Sequence, residues 1–355
     1  MRNPIGTTLA VTATVLGVLA FAWLAVKAAP AILILLVSAI VASAVAPLGD
    51  RIAGISFGRA GRRTLPRGTA LVIAYVLVLG VIGSAVAYYV YVIGEEAQRL
   101  VVDIPTLVRR VTGSLAHLRE LYPWLPSPES IIGQASSDES VARMYAARAY
   151  SATVGAVGIV WSAITVVILS FYMALESDHL RDMFLDLAPE RHRATISRGL
   201  QLIGLQFGRY ARGQLLIATI MGVTATIGAA AIGLRFPFLI GAVVGLADFI
   251  PLVGAVVGAI PATLIALTQE RWQLVAILIF FFVIQQIENN VLIPKIMSRA
   301  VRISPVVTLA ALLIGGAAFG IAGALIAIPF AAALQVAIPT LIGMLREDAR
   351  KETQA

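Results

Sequence analysis

Cysteine is absent from all 355 residues, which excludes disulfides, thiolate chemistry and cysteine-ligated zinc. Histidine is nearly absent. His117, His179 and His192 are the only three, and no HxxxH-like spacing links them, so a histidine metal site has no support. No GxxxxGK[ST] run occurs, which removes an ATP-driven pump. Charge is scarce too. Only 13% of residues are charged against 59% hydrophobic, at a mean hydropathy of +0.91, more apolar side chain than one soluble core can hide. The net charge of +8 and pI near 10.1 could point to nucleic acid, but the arginines fall in short segments between apolar runs, where membrane topology explains them. Nucleic acid is therefore not an expected partner, and no cofactor is indicated.

What the chain has in quantity is long apolar segments. Runs of about 20 residues span the hydrocarbon as helix, and such runs lie at 8–26, 30–47, 69–93, 152–175 and 214–234. Alternation over ten-residue segments, the mark of a transmembrane barrel, is missing. Glycine and alanine are frequent within the runs, which suits close helix contact in lipid and leaves faces for homo-oligomer contacts. The first run is too long for a signal-peptide core and is taken as a membrane helix. The expected fold is an all-α polytopic transmembrane helical bundle.

Topology follows from charge. The loop "GDRIAGISFGRAGRRTLPRG", 49–68, carries five arginines against Asp50 alone, and marks the cytoplasmic side. Two spans before it place the N-terminus inside, and the third leads to an external segment, so 1–94 reads as three transmembrane helices. Within 95–151, Leu100, Ile104, Leu107, Val111, Leu115, Leu118 and Tyr122 recur at helical spacing, and "PWLPSPES" then breaks the helix. The region 152–212 reads as a fourth span followed by cytoplasmic amphipathic helices with Leu180, Phe184, Leu187, Ile196, Leu200, Ile203 and Phe207 on the apolar side. The tail, 346–355, is cytoplasmic.

The core of interest is 213–345. After the span at 214–234, "RFPFLIGAVVGLADFIPLVGAVVGAIPATLIALTQER" holds Asp248, Pro251, Gly254, Gly258 and Pro261 in an apolar setting. Backbone freed at such breaks is tolerated in a membrane only where protein or water satisfies it, so a helical hairpin with its tip near "DFIPLVG" is expected. A second interrupted segment, 303–345, contains Gly315, Gly316, Gly320, Gly323 and Pro329, and "FGIAGALIAIPFAAAL" there echoes "VGAVVGAIPATLIAL" at 253–267. If each copy is a helix plus a hairpin, Lys295, Arg299, Arg302, Arg346, Arg350 and Lys351 all emerge in the cytoplasm, and the copies have opposite orientations. Arg235 and Arg271 then anchor the outer interface. Two broken-helix hairpins in an inverted repeat are the pattern of a secondary transporter.

Between the hairpins lies "QQIENNVLIPKIM", 285–297, directly after the wholly apolar "LVAILIFFFVI". On a regular helix Gln285, Glu288, Asn289 and Leu292 share one face, with Gln286 and Asn290 beside it. A carboxylate at such depth costs some 2.5 to 3.5 kcal/mol on insertion scales, so it is expected to serve a partner or a task. Glu288 reads either as a carrier of protons or monovalent cations or as an acceptor for a polar solute; the plainer alternatives are an ion pair with Lys295 or snorkelling. Asp248 reads similarly, or as a helix N-cap. No enzyme emerges. An intramembrane aspartyl protease needs two aspartates and Asp248 stands alone in a span, while a serine protease needs a base and the three histidines lie outside the spans.

With these residues in view, the chain resembles the autoinducer-2 exporter family of bacterial membrane proteins. The likeness covers nearly the whole sequence and rests on "DFIPLVGAVVGAIPA", "QQIENNVLIPKIM", "LLIGGAAFGIAGALIAIPFAA" and, less specifically, "RYARGQLL" at 209–216. It implies a multi-pass protein of the bacterial cytoplasmic membrane that exports a small polar signalling molecule on the proton-motive force, with sodium or lithium/proton antiport known among relatives. The family's "FYLLKD"-like end of the fourth span is "FYMALESD" here, without the lysine. A membrane scaffold that transports nothing is the rival of a different class.

Overall fold

The computed structural model describes residues 4–57, 63–121, 158, 160–250, 253–297 and 304–354. The order is α1 (Pro4–Ala53), a two-residue antiparallel pairing of β1 (Ser56–Phe57) with β2 (Arg63–Thr64), α2 (Arg67–Leu121), α3 (Val160–Leu175), α4 (Ser177–Asp186), α5 (Glu190–Ile232), α6 (Pro237–Ala247), α7 (Val253–Leu267), α8 (Arg271–Ile287), a π-helical turn (Glu288–Leu292), α9 (Ile293–Met297) and α10 (Pro305–Gln354). Lys27–Ala53, Arg67–Glu96, Glu190–Ile232, Arg271–Met297 and Val306–Met344 are each long and apolar enough to cross a membrane, and α3 with α4 forms a pair bent by 71°. The protein is an all-α, polytopic membrane bundle.

Three helices run on where the sequence suggests breaks. The apolar runs 8–26 and 30–47 lie on one helix through Pro30, so the reversal that two crossings require is missing there, and with it the support for a cytoplasmic N-terminus. The amphipathic stretch after residue 95 continues the helix of the third run to Leu121; "PWLPSPES" lies outside the described residues. The amphipathic 190–212 stretch and the span at 214–234 are likewise one helix of 43 residues. In each case propagation of a formed helix, one hydrogen bond per residue fixed, outweighs a change from lipid-facing to water-facing composition. Of the predicted apolar stripe, Phe207 is buried, whereas Phe184 and Leu187 are exposed.

Two hydrophobic cores hold the bundle. One joins α1, α2 and α3 through Ala42, Val45, Leu71, Ala74, Tyr75 and Ala174. The larger one gathers α5, α6, α7 and α8 around Ile217, Met221, Ile240, Val244, Ile265, Ile277 and Phe281. Within it α6 lies on α5 along a small-residue seam: a Cβ on Gly241 would meet the Gly222 carbonyl at 2.6 Å, and one on Gly245 would meet the Ala218 carbonyl at 3.1 Å. This is how helices approach closely in lipid. On the other faces Trp161, Leu246, Phe282 and Leu313 are exposed, as side chains that meet hydrocarbon should be.

Both expected hairpins form. The turn before the first is set by Gly233 at φ +76° closing α5, Phe236 at φ +60°, and Pro237 in the first turn of α6. At 11 residues, α6 is about 17 Å long, roughly half the hydrocarbon thickness. It cannot span, and the first hairpin is re-entrant by length. In the second, α10 breaks at Phe319 and at Gly320, φ +61° and ψ −145°. A Cβ on Gly315 would lie 2.7 Å from the Gly323 carbonyl, although eight residues of straight helix separate their ends by about 12 Å. The chain has turned back on itself.

Candidate functional site

Asp248 terminates α6 in helical conformation, its N–H donating to the Val244 carbonyl. It closes that helix, and its side chain lies against the start of α7 at Gly254. It is 2% exposed, and its Oδ2 has no hydrogen-bond partner. Two neighbours fix its place. Gln214 of α5, itself buried, donates from Nε2 to the Asp248 carbonyl at 2.5 Å. Gly254, at the start of α7, leaves no room between them: a Cβ there would stand 2.6 Å from the Asp248 N and Oδ1. Gly258, a helical turn later, permits the same close approach to Val244. Pro261 lies inside α7 and is half-buried; Pro251 lies outside the described residues.

Glu288 opens the π-turn, and the Ile293 N–H reaches back five residues to its carbonyl. The extra residue re-phases the helix by about 100° relative to α-helical spacing, and such bulges gather at functional sites. Glu288 is turned inward, 5% exposed, and accepts from Gln285 Nε2 at 3.2 Å. Asp248 at the tip of the first hairpin and Glu288 at the end of α8 are thus both buried carboxylates.

Of the rest of the polar run only Gln285 joins Glu288. The shared face expected for Gln285, Glu288 and Asn289 is divided at Asn289: Gln285 and Asn289 border an open groove with Val256, Ile260, Thr263 and Phe282, while Glu288 is buried. Gln286 and Asn290 pair on the exposed side, Asn290 Nδ2 donating to the Gln286 Oε1 at 3.1 Å and to its carbonyl at 2.9 Å. Lys295 is exposed and makes no ion pair with Glu288, so that alternative fails among the described residues. Of the second-hairpin residues, Gly315 and Gly323 face each other, Gly320 makes the turn, and Gly316 has open space before it. Pro329 is fully buried.

A cavity of about 620 Å³ adjoins this region. Its walls are α1, α2 and α5, with Phe249 from the first hairpin and Ile326 and Pro329 from the second. Its polar lining is Arg51, Tyr210, Arg212 and Gln214. None of Tyr210, Arg212 and Gln214 was expected from the sequence, although a tyrosine, an arginine and a glutamine at the head of an apolar run are the kind of signal that marks a site. Arg212 Nη1 donates to the carbonyls of Ala44 at 2.9 Å and Ser43 at 3.4 Å. Ser43 lies four residues before Pro47, which has no N–H to offer it, so the guanidinium satisfies a carbonyl that the helix cannot. Glu96 is a second unforeseen contact: its carboxylate accepts from the Leu239 N–H at 2.8 Å and the Phe238 N–H at 3.4 Å, capping α6 from α2.

Buried carboxylates at a re-entrant tip, a π-turn and an adjoining cavity define the class: a multi-pass membrane protein built around a polar centre. Comparison with known proteins agrees. The family profile described as AI-2E family transporter matches residues 9–343, and the chain belongs to that family. It is 31% identical to YrrI of Bacillus subtilis (strain 168) over 290 residues, covering 80% of this chain and 81% of the relative. YueF of the same strain is 24% identical over 82% of each chain, and YhhT of Escherichia coli (strain K12) is 24% identical over 79% of each. All three are named for transport. The chain is a membrane transport protein by family.

Proposed function

We propose that this chain is a secondary transporter of the bacterial cytoplasmic membrane, exporting a small polar solute such as autoinducer-2 on the proton-motive force. The observation that carries this reading is the burial of Asp248 at the first hairpin tip and of Glu288 at the π-turn. An ionised carboxylate in a low-dielectric interior is costly, and a proton or monovalent cation relieves that cost. Uptake and release of that charge is the coupling step, with Gln285 orienting Glu288 and Gln214 orienting the Asp248 backbone. The two helix-plus-hairpin units act as an inverted repeat, with the basic loop and the C-terminal tail in the cytoplasm, and the glycine and alanine faces packing copies into a homo-oligomer. Sodium or lithium/proton antiport is the second reading, since carboxylate oxygens such as those of Asp248 and Glu288 suit a hard cation.

The test is flux in proteoliposomes under an imposed pH gradient, with furanones, polyols, sodium and lithium as solutes. Glu288→Gln is expected to abolish gradient-driven flux in a protein that still purifies as a folded species. Undiminished flux in that variant would remove Glu288 from the mechanism. A scaffold, by contrast, would give no flux and no solute-dependent thermal stabilisation with any member of the panel.

A further inference from the structure

The cavity between α1, α5 and the hairpins carries a chemistry that the two carboxylates do not. Its walls are almost wholly aliphatic, and its polar groups are donors: the Tyr210 hydroxyl, the Arg212 guanidinium, the Gln214 amide and Arg51. Tyr210 is 6% exposed and its hydroxyl is buried with no hydrogen-bond partner, in a place where an unmade bond is costly. Both bonds of Arg212 use Nη1, so Nη2 and Nε make none among the described residues. Arg51 and Arg212 both line the cavity, so two guanidinium groups border it. No carboxylate lines it.

We propose that this cavity is the site of a small organic anion with an apolar body, its carboxylate or phosphate ester held by Arg212 and the Tyr210 hydroxyl and its carbon skeleton packed among Val41, Val45, Ile326 and Pro329. A volume of about 620 Å³ falls in the range of pockets that enclose whole small molecules. A bidentate guanidinium and a phenol together select an anion over a neutral polyol. The assignment rests on the transporter reading above, but takes the solute to be an organic anion in place of a neutral furanone or polyol. Gln214 links the cavity to the first hairpin, because it lines the cavity and also donates to the Asp248 backbone carbonyl.

The test uses the full chain in phosphatidylcholine nanodiscs and calorimetric titration with benzoate, its neutral counterpart benzamide, and inorganic phosphate. Benzoate is expected to bind at least about tenfold more tightly than benzamide, the scale of one hydrogen bond to a charged group. Tyr210→Phe, which removes only an unpartnered hydroxyl and leaves the ring in place, should weaken benzoate by about tenfold and leave benzamide unchanged. Arg212→Gln should abolish the preference; if it does not fold, Tyr210→Phe decides alone. Equal binding of benzoate and benzamide, or a preference that survives Tyr210→Phe, overturns the proposal. So does inorganic phosphate binding as tightly as benzoate, which would leave a bare anion patch, or loss of benzoate binding on adding phosphatidylglycerol, which would give the site to a lipid headgroup. Binding is read without an ion gradient, so it can stand while the Glu288→Gln flux test fails, and the reverse.

Discussion

Pro47 and Arg212 form a pair that a double-mutant cycle can isolate. Pro47 lacks the N–H that would close the Ser43 carbonyl, and Arg212 of α5 supplies a donor there at 3.4 Å and at Ala44 at 2.9 Å. Gly208 makes this possible, since a Cβ on it would collide with the Ser43 carbonyl. Removing the guanidinium by Arg212→Gln leaves those acceptors without a charged donor, at a cost of about 1 to 3 kcal/mol by the range for such bonds. Pro47→Ala restores a backbone N–H at the position that Ser43 requires, so in that background Arg212→Gln should cost at least about 1 kcal/mol less. The assay is equilibrium unfolding of the four proteins in mixed micelles, followed by far-UV circular dichroism. If Arg212→Gln is equally harmful in both backgrounds, the guanidinium does not act by satisfying the Ser43 carbonyl, and the part assigned to Pro47 in the α1–α5 contact is wrong.

Other perturbations follow from single contacts. Gly254→Ala places a Cβ 2.6 Å from the Asp248 N and Oδ1, and should destabilise the hairpin tip by about 1 to 3 kcal/mol while abolishing flux; a wild-type melting temperature would show that the tip has room. Gly320→Ala forces a side chain into φ +61°, ψ −145°, at about 1 to 3 kcal/mol, and should lower thermal stability more than Gly316→Ala, which meets open space. Glu96→Ala uncaps α6, and is expected to cost about 0.5 to 2 kcal/mol and to speed hydrogen exchange at Phe238 and Leu239; unchanged exchange there would deny the cap. Single cysteines at Arg271 and Lys295, the two ends of an apolar helix, should react with a lipid-impermeant thiol reagent from opposite faces. Labelling from one face would sink the sidedness on which the inverted repeat rests.

How much of this was legible beforehand depended on whether the signal was local. Glycine and proline interruptions at 248–261 and 315–329 predicted both hairpins, because a backbone break in an apolar run has few solutions in lipid. The isolated carboxylates at 248 and 288 predicted the polar centre, because the penalty on a charge in hydrocarbon is a property of one residue in its own segment. The π-turn was not legible. Period 3.6 is the only register that spacing can suggest, and an inserted residue leaves no composition mark, so regular spacing puts Asn289 with Glu288 although it faces the groove. Nor were the continuous α1 and α5 legible, since hydropathy locates apolar stretches but not the reversals between them.

The residues that were missed share one feature: each acts across the fold on a backbone group. Arg212 serves the carbonyls of Ser43 and Ala44, Gln214 the carbonyl of Asp248, and Glu96 the N–H groups of Phe238 and Leu239. A backbone acceptor carries no letter in the sequence, so no spacing rule pairs it with its donor. Yet the need for such partners was visible. Pro47 within an apolar run left a carbonyl to satisfy, and a hairpin at 236–267 left the ends of its helices to satisfy. In a membrane these needs cannot be met by water except in a cavity, so each break in a helix predicts a polar side chain elsewhere that closes it. Arg212, Gln214 and Glu96 answer three such breaks, and two of them, Arg212 and Gln214, also line the cavity where a solute would sit. The groups that stabilise the broken helices thus overlap with the groups that would bind the solute, and this gives a re-entrant hairpin the means to respond when the cavity fills.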